Sequence, residues 1–171
     1  MARHLNKGIM LGIKKVAAMV ILRHQDKFLL LKRAKSPNQG MYVPVGGKLE
    51  PFETPRAAAI RETYEETGIQ LTEVKFCGTL VETSPVKYNW ISYIYLAEID
   101  DLPVPDCDEG VLEWIEKTEL DRVPAPPTDT FIYEYVAQEK PFAFSATFSD
   151  DLKMLKMHDE WSGEVVFSVE N

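Results

Sequence analysis

Histidine and cysteine are scarce in this chain, and it contains no basic run. The three histidines, His4, His24 and His158, share no metal-ligand spacing, so an imidazole metal site is not expected. Two cysteines, Cys77 and Cys107, are too few for a disulfide framework and form no thiolate metal pattern. No apolar stretch approaches the ~20 residues a bilayer-crossing helix needs. The best candidate, Val16 to Leu22, follows Lys14 and Lys15 and reads as a strand, not as the core of a signal segment. A cytoplasmic location is the expectation, with no membrane partner. Positive charge is also in deficit. Lys and Arg number 19 against 27 Asp and Glu, leaving a net charge of −8. That field repels a long nucleic acid. A small polyanion is still admissible where cations neutralise it locally.

The rest of the composition is that of one globular domain. The chain has 171 residues, 45% of them hydrophobic, enough for a real core. A single domain over 1–171 is expected, with 1–13 as a loose lead-in or an added strand. Lys15 to Arg23 and Lys27 to Arg33 are β-rich runs joined by a hairpin at His24-Gln25-Asp26. A loop follows from Lys35 to Met41, then a short strand from Tyr42 to Val45 that ends at Gly46-Gly47. Thr54 to Thr67 is the clearest helix: Thr54 suits the N-cap, Pro55 the first helical position and Gly68 the stop. Val74 to Thr83 and Tyr88 to Ile99 read as long strands, the second with clear alternation. An acidic loop covers Asp100 to Gly110, a strand Val111 to Ile115, and a helical turn Glu116 to Leu120. The Pro-rich Val123 to Thr128 is a bend, and Thr128 to Gln138 a second helix. Pro141 to Phe148, Leu152 to His158 and Glu164 to Val169 read as closing strands. Strands predominate beside two main helices, so the class is α+β with a mixed sheet.

The informative segment is GKLEPFETPRAAAIRETYEETGI, Gly47 to Ile69. Glu62, Glu65 and Glu66 stand at i, i+3 and i+4, so they leave one face of the helix. They sit in its last turn, where the dipole disfavours anions, with only Arg61 near in sequence. By itself such a stripe is ordinary solvated surface. Hard oxygen donors converging from one face are also what Mg²⁺ or Mn²⁺ requires.

The wider spacing decides between these. Gly47, Glu53, Arg61, Glu62, Glu65, Glu66, Gly68 and Ile69 fall in register with the Nudix box, and the chain resembles the Nudix hydrolase family. At background residue usage, seven fixed positions match by chance on the order of 10⁻⁹ per start site. Thr63 departs, standing where the family usually has an aliphatic residue at a packing position. The resemblance implies the Nudix fold, a mixed β-sheet sandwiched between helices (an α/β/α sandwich). It implies metal-dependent hydrolysis of a phosphoanhydride. Glu62, Glu65, Glu66 and the Gly47 carbonyl would hold Mg²⁺ (or Mn²⁺), and a Glu53–Arg61 ion pair would brace loop to helix. The general base in relatives is either a glutamate within the box or one on a later loop. Here the later candidate is Glu109, with Glu113 as competitor on a strand face expected to meet solvent.

Substrate contacts are expected from Arg33, Tyr42, Lys48 and Asp129, with Trp90 and Phe131 as further aromatic candidates. In MutT-like relatives an acidic residue near Asp129 reads the purine edge. Those relatives that carry Asn before the glycine pair have it where this chain has Val43. The segment Lys140 to Leu155 is also similar to the terminal strand pair of the MutT-like branch. The substrate implied is a purine nucleoside triphosphate, oxidised or not, cut to monophosphate and pyrophosphate. A second reading is an ADP-ribose pyrophosphatase, on the strength of Pro85, sixteen residues after Ile69. A third is a Nudix-fold nucleotide-binding protein without turnover. Such proteins usually lack box glutamates, and this chain has them all. Monomer and homodimer are both compatible with the sequence.

Overall fold

The computed structural model describes residues 12–169. Most of the lead-in expected over 1–13 therefore lies outside the described residues. The elements are β1 (Lys15–His24), β2 (Lys27–Arg33), β3 (Tyr42–Val43), β4 (Val45–Lys48), α1 (Pro55–Thr67), β5 (Lys75–Thr83), β6 (Trp90–Glu98), β7 (Gly110–Glu116), α2 (Pro127–Ala137), β8 (Phe142–Phe148), β9 (Met154–Asp159) and β10 (Glu164–Ser168). A 3₁₀ turn covers Lys117–Glu119.

The strands form one mixed sheet in the order β10-β9-β8-β5-β6-β1-β2-β3, with β4 paired to β1 and β7 to β2. β1 runs parallel to β6 and β5 parallel to β8; the other pairs are antiparallel. A sheet with helices on both faces buries both parities of its central strands. In β2, Phe28 and Leu30 join one core, while Leu29 and Leu31 join the other. The first core takes Ile132, Tyr133 and Val136 from α2, and the second takes Ala58 and Ala59 from α1. The two helices thus lie on opposite faces, the sandwich expected. Among the described residues no helix is long and apolar enough to cross a membrane.

Two details position the site. Tyr42 to Val45 is not one strand: Pro44, which lacks an N–H, separates β3, paired with β2, from β4, paired with β1. The β4 ladder includes Gly46 and Gly47 and runs to Lys48 instead of ending at the glycines. In addition, α1 buries only small side chains, namely Ala58, Ala59, Thr63 and Thr67. The Thr63 hydroxyl donates to the Ala59 carbonyl at 2.8 Å and the Thr67 hydroxyl to the Thr63 carbonyl at 2.6 Å. Their polarity is absorbed inside the helix, so Thr63 packs where an aliphatic residue was expected. Small residues let α1 settle close to β1 and β4.

Gly46 shows how close the backbones approach. It has φ +145°, and a Cβ there would lie 2.2 Å from the Ala18 carbonyl oxygen. Gly46→Ala is expected to destabilise the fold by about 3 kcal/mol or more, because backbone must move to admit the methyl group. A urea-denaturation midpoint equal to that of the parent would refute the close approach.

Candidate active site

The end of α1 carries the acidic stripe, and β4 is the surface it meets. Thr54 caps the helix by accepting the Ala57 N–H at 3.2 Å, and Gly68, with φ +72°, ends it. Between these ends, Glu62 and Glu66 reach β4. The Gly46 N–H donates to Glu66 Oε2 at 3.0 Å. A Cβ on Gly47 would lie 2.5 Å from the Glu62 carboxylate. The glycine pair therefore makes room for two carboxylates over a strand. No other residue type leaves that space.

Arg61 organises the remainder. Its Nε and Nη2 donate to the two oxygens of Glu53, each at 2.8 Å. Nη1 donates to Glu62 at 2.7 Å and Glu65 at 3.1 Å, and Nη2 also reaches the Lys48 carbonyl at 3.1 Å. One guanidinium thus ties the loop after β4 to three glutamates. Its hydrogen bonds, ahead of burial, hold the Glu53 carboxyl down at about 2.

Glu66 behaves in the opposite way. Burial pushes its carboxyl up to about 7, and the Glu109 and Glu62 charges push in the same direction against the Gly46 N–H and Arg33. The cluster repels itself, and a cation would relieve it. Its donors are hard oxygens, the class that divalent Mg²⁺ and Mn²⁺ prefer. Among the described residues no three acidic, histidine or cysteine side chains close to metal-holding geometry. Arg61 stands between Glu62 and Glu65, so those donors match the chemistry but would have to draw in around an ion.

The other expected residues divide. Glu109 does reach the site: it accepts from Arg33 Nη1 at 3.2 Å, its side chain is half exposed, and it is close enough to act on Glu66. Glu113 was expected to meet solvent. It instead accepts the Tyr42 hydroxyl at 2.8 Å. Tyr42 is buried in the α2-side core, with Lys32 over its ring at 5.5 Å, so its ring is not free to stack. Lys48 is exposed at the end of β4, and its carbonyl holds Arg61. Trp90 is half-buried beneath Lys15, and Phe131 packs on Phe167. Val43 is buried on the α1 side and offers no polar group. Pro85 lies in a turn that Asn89 staples by bonding Ser84 and Val86. That is an ordinary structural place for a proline.

Asp129 is almost fully buried at the start of α2, and it is not alone. Glu82 of β5, equally buried, lies beside it, and the Thr128 hydroxyl stands 3.4 Å from an oxygen of each. The Tyr88 hydroxyl donates to both Glu82 oxygens at 3.1 and 3.2 Å. Lys14 bonds the Glu82 carbonyl and the Thr83 hydroxyl, so among the described residues no cation bonds either carboxylate. Burial raises both acids toward neutrality, and Glu82 raises Asp129 further. A negative Glu82 favours the protonated form of Asp129. Glu82 had a signal in the sequence: it has the same strand parity as Leu80, on the buried side of β5.

With this geometry in place, a family model described as NUDIX domain matches residues 13–138. The chain belongs to the Nudix family, and its fold is that of a Nudix hydrolase. A diphosphoinositol polyphosphate phosphohydrolase 3-alpha of Homo sapiens is 31% identical over 93 residues, covering 53% of this chain and 54% of that protein. An 8-oxo-dGTP diphosphatase of Proteus vulgaris is 34% identical over 84 residues, covering 48% of this chain and 75% of that protein. A solved MutT protein from Bacillus halodurans shares the fold at TM-score 0.76 and 24% identity, over 85% of this chain and 97% of that one. The chain spans 54–61% of the length of the first curated relatives it matches.

Proposed function

We propose that this protein hydrolyses a phosphoanhydride bond of a nucleotide with the help of Mg²⁺ or Mn²⁺. The substrate we favour is a purine nucleoside triphosphate, cut to monophosphate and pyrophosphate. The observation that carries the reading is the seating of Glu62 and Glu66 on Gly47 and Gly46, with Arg61 bracing Glu62 and Glu65 to Glu53. Glu62, Glu65, Glu66 and the Gly47 carbonyl would hold the ion, which when bound neutralises the diphosphate and acidifies an attacking water. Glu109, which Arg33 holds, would accept the proton of that water. Arg33 and Lys48 supply positive charge for phosphate oxygens near the same cluster.

The purine preference rests on the Asp129–Glu82 pair. A pair of acids with one proton presents a hydroxyl donor and a carboxylate acceptor together. That pattern complements a purine edge, which itself carries both kinds of group. The phosphohydrolase and diphosphatase relatives act on different named compounds, so the choice of substrate is ours from the site.

The test is a panel of normal and oxidised purine triphosphates, ADP-ribose and dinucleoside polyphosphates, with Mg²⁺ or with excess EDTA. We expect release of pyrophosphate from the triphosphates and its loss under EDTA, which strips the ion the glutamates would hold. No metal-dependent turnover on any member would sink the proposal.

A further inference from the structure

Two arginines divide the carboxylates of the site between them. Arg61 holds Glu53, Glu62 and Glu65. Arg33 holds Glu109, its Nη1 donating to Glu109 Oε2 at 3.2 Å. Both members of that pair act on Glu66: after burial, Glu109 raises its carboxyl and Arg33 lowers it. Arg33 therefore stands where the acidic cluster meets the loop that carries Glu109.

The backbone around this pair is built to hold it. Arg33 closes β2 and lies opposite Gly110, the first residue of β7. A Cβ on Gly110 would lie 2.0 Å from the Lys32 carbonyl oxygen, so the strands meet there without room for a side chain. Beside that point the Ala34 N–H donates to the Glu109 carbonyl at 2.9 Å. The Arg33 N–H donates to the Met41 carbonyl at 3.0 Å, and the Gly40 N–H to the Arg33 carbonyl at 2.8 Å. Arg33 Nε donates to the Pro37 carbonyl at 2.9 Å. The Glu109 backbone and the Arg33 guanidinium are thus set in place separately, and the ion pair is the tie between them.

The tie matters for direction more than for stability. Its side chains are 24% and 50% exposed, and a pair so open to water adds little to the fold. Among the described residues Arg33 is the one group that bonds the Glu109 carboxylate. A loop carboxylate left alone samples several rotamers, whereas a proton acceptor has to stand within reach of one water. The guanidinium also has donors to spare. It carries five N–H groups in a rigid fork, and Pro37 and Glu109 use Nε and Nη1. Nη2 makes no bond among the described residues and is left for an anion. One planar group can therefore hold the carboxylate on one side and a phosphate oxygen on the other. A lysine ammonium supplies the charge without the fixed angle between the two.

We propose that Arg33 is a positioning residue that acts through Glu109, aligning the proton acceptor to a substrate phosphate by bonding both at once. This role rests on the hydrolysis proposed above and names what couples its base to its substrate.

Steady-state kinetics on four full-length chains test it: the parent, Arg33→Lys, Glu109→Gln and the double variant. Arg33→Lys is expected to lower kcat by about tenfold or more while KM stays within about twofold, because charge is kept and alignment is lost. Glu109→Gln is expected to lower kcat by about a hundredfold, the share of a general base. In the Glu109→Gln chain, Arg33→Lys is expected to change kcat by less than about twofold, since no base is left to align. A raised KM at unchanged kcat, or the same kcat loss in both backgrounds, overturns the positioning role. Hydrogen exchange at the Ala34 amide, which bonds the Glu109 carbonyl, follows the tie without turnover. Arg33→Ala and Glu109→Ala are each expected to speed that exchange by about threefold, and the two together no more than either alone. Additive acceleration, or none, overturns the tie. Failure of every nucleotide to turn over on the parent chain counts against the proposed hydrolysis instead, and the exchange result still decides the tie.

Discussion

Glu66→Gln is expected to lower kcat/KM by about a thousandfold or more while leaving the fold intact. The loss follows from the loss of a metal-holding charge at the only carboxylate pinned to the strand through Gly46. The fold survives because the glutamine carbonyl oxygen still accepts the Gly46 N–H. Stability is expected to rise. Burial, Glu109 and Glu62 lift the Glu66 carboxyl to about 7, so between roughly pH 4.5 and 7 the folded state binds protons that the unfolded state has released. Stability therefore declines as pH rises through that window, and glutamine removes the decline. Above pH 7 the variant is expected to gain about 1–3 kcal/mol. Steady-state kinetics and urea denaturation measure the two effects on one preparation. Activity within tenfold of the parent would remove Glu66 from the metal site, whatever the stability.

The second large effect concerns Asp129 and Glu82. Both are buried, and among the described residues Thr128 and Tyr88, not a cation, bond their side chains. Keeping one charge there is costly, and the second is more costly still. The unfolded chain ionises near pH 4, whereas in the folded chain burial raises Asp129 to about 8. The folded state thus holds extra protons across that interval, and the pair's contribution to stability is lost as pH rises from about 4 to about 8. Asp129→Asn and Glu82→Gln are each expected to stabilise the fold at pH 9 by about 2 kcal/mol or more, with little change at pH 4. The same substitutions are expected to change base preference more than phosphate chemistry. The measurements are denaturation midpoints at the two pH values and relative kcat/KM over a set of nucleotides. A stability change independent of pH would mean that the pair does not hold a shared proton. Equal loss on every nucleotide would end its base-reading role.

Much of this is legible in the sequence, and the limits have physical causes. Helix α1 announced itself through local chemistry: Thr54 caps it, Pro55 opens it and Gly68 stops it. The class and the sandwich followed from the strand and helix pattern and from the box. The Glu53–Arg61 pair came from the family resemblance, and the structure forms it. The course of β3 and β4 was harder, because a glycine pair after a strand reads as a stop. Here the glycines continue the ladder, and their purpose depends on carboxylates from a helix that packs later in the chain. Glu113 was misplaced for a related reason: its partner, Tyr42, is 71 residues away. The buried acid pair joins β5 to the start of α2 beside Thr128, which lies 46 residues from Glu82. Local pattern has no access to such a meeting, although the wrong-parity charge at Glu82 was visible.

The small buried face of α1 has one more consequence. Ala58, Ala59, Thr63 and Thr67 have no reactive chemistry at the site, yet their bulk sets how far the helix stands from the sheet. Glu62 and Glu66 are carried on that same helix, one turn apart, and rise or fall with it. The spacing of the acidic oxygens is thus a property of methyl groups on the reverse side. A change there would act on both glutamates at once, as a single displacement, without touching either.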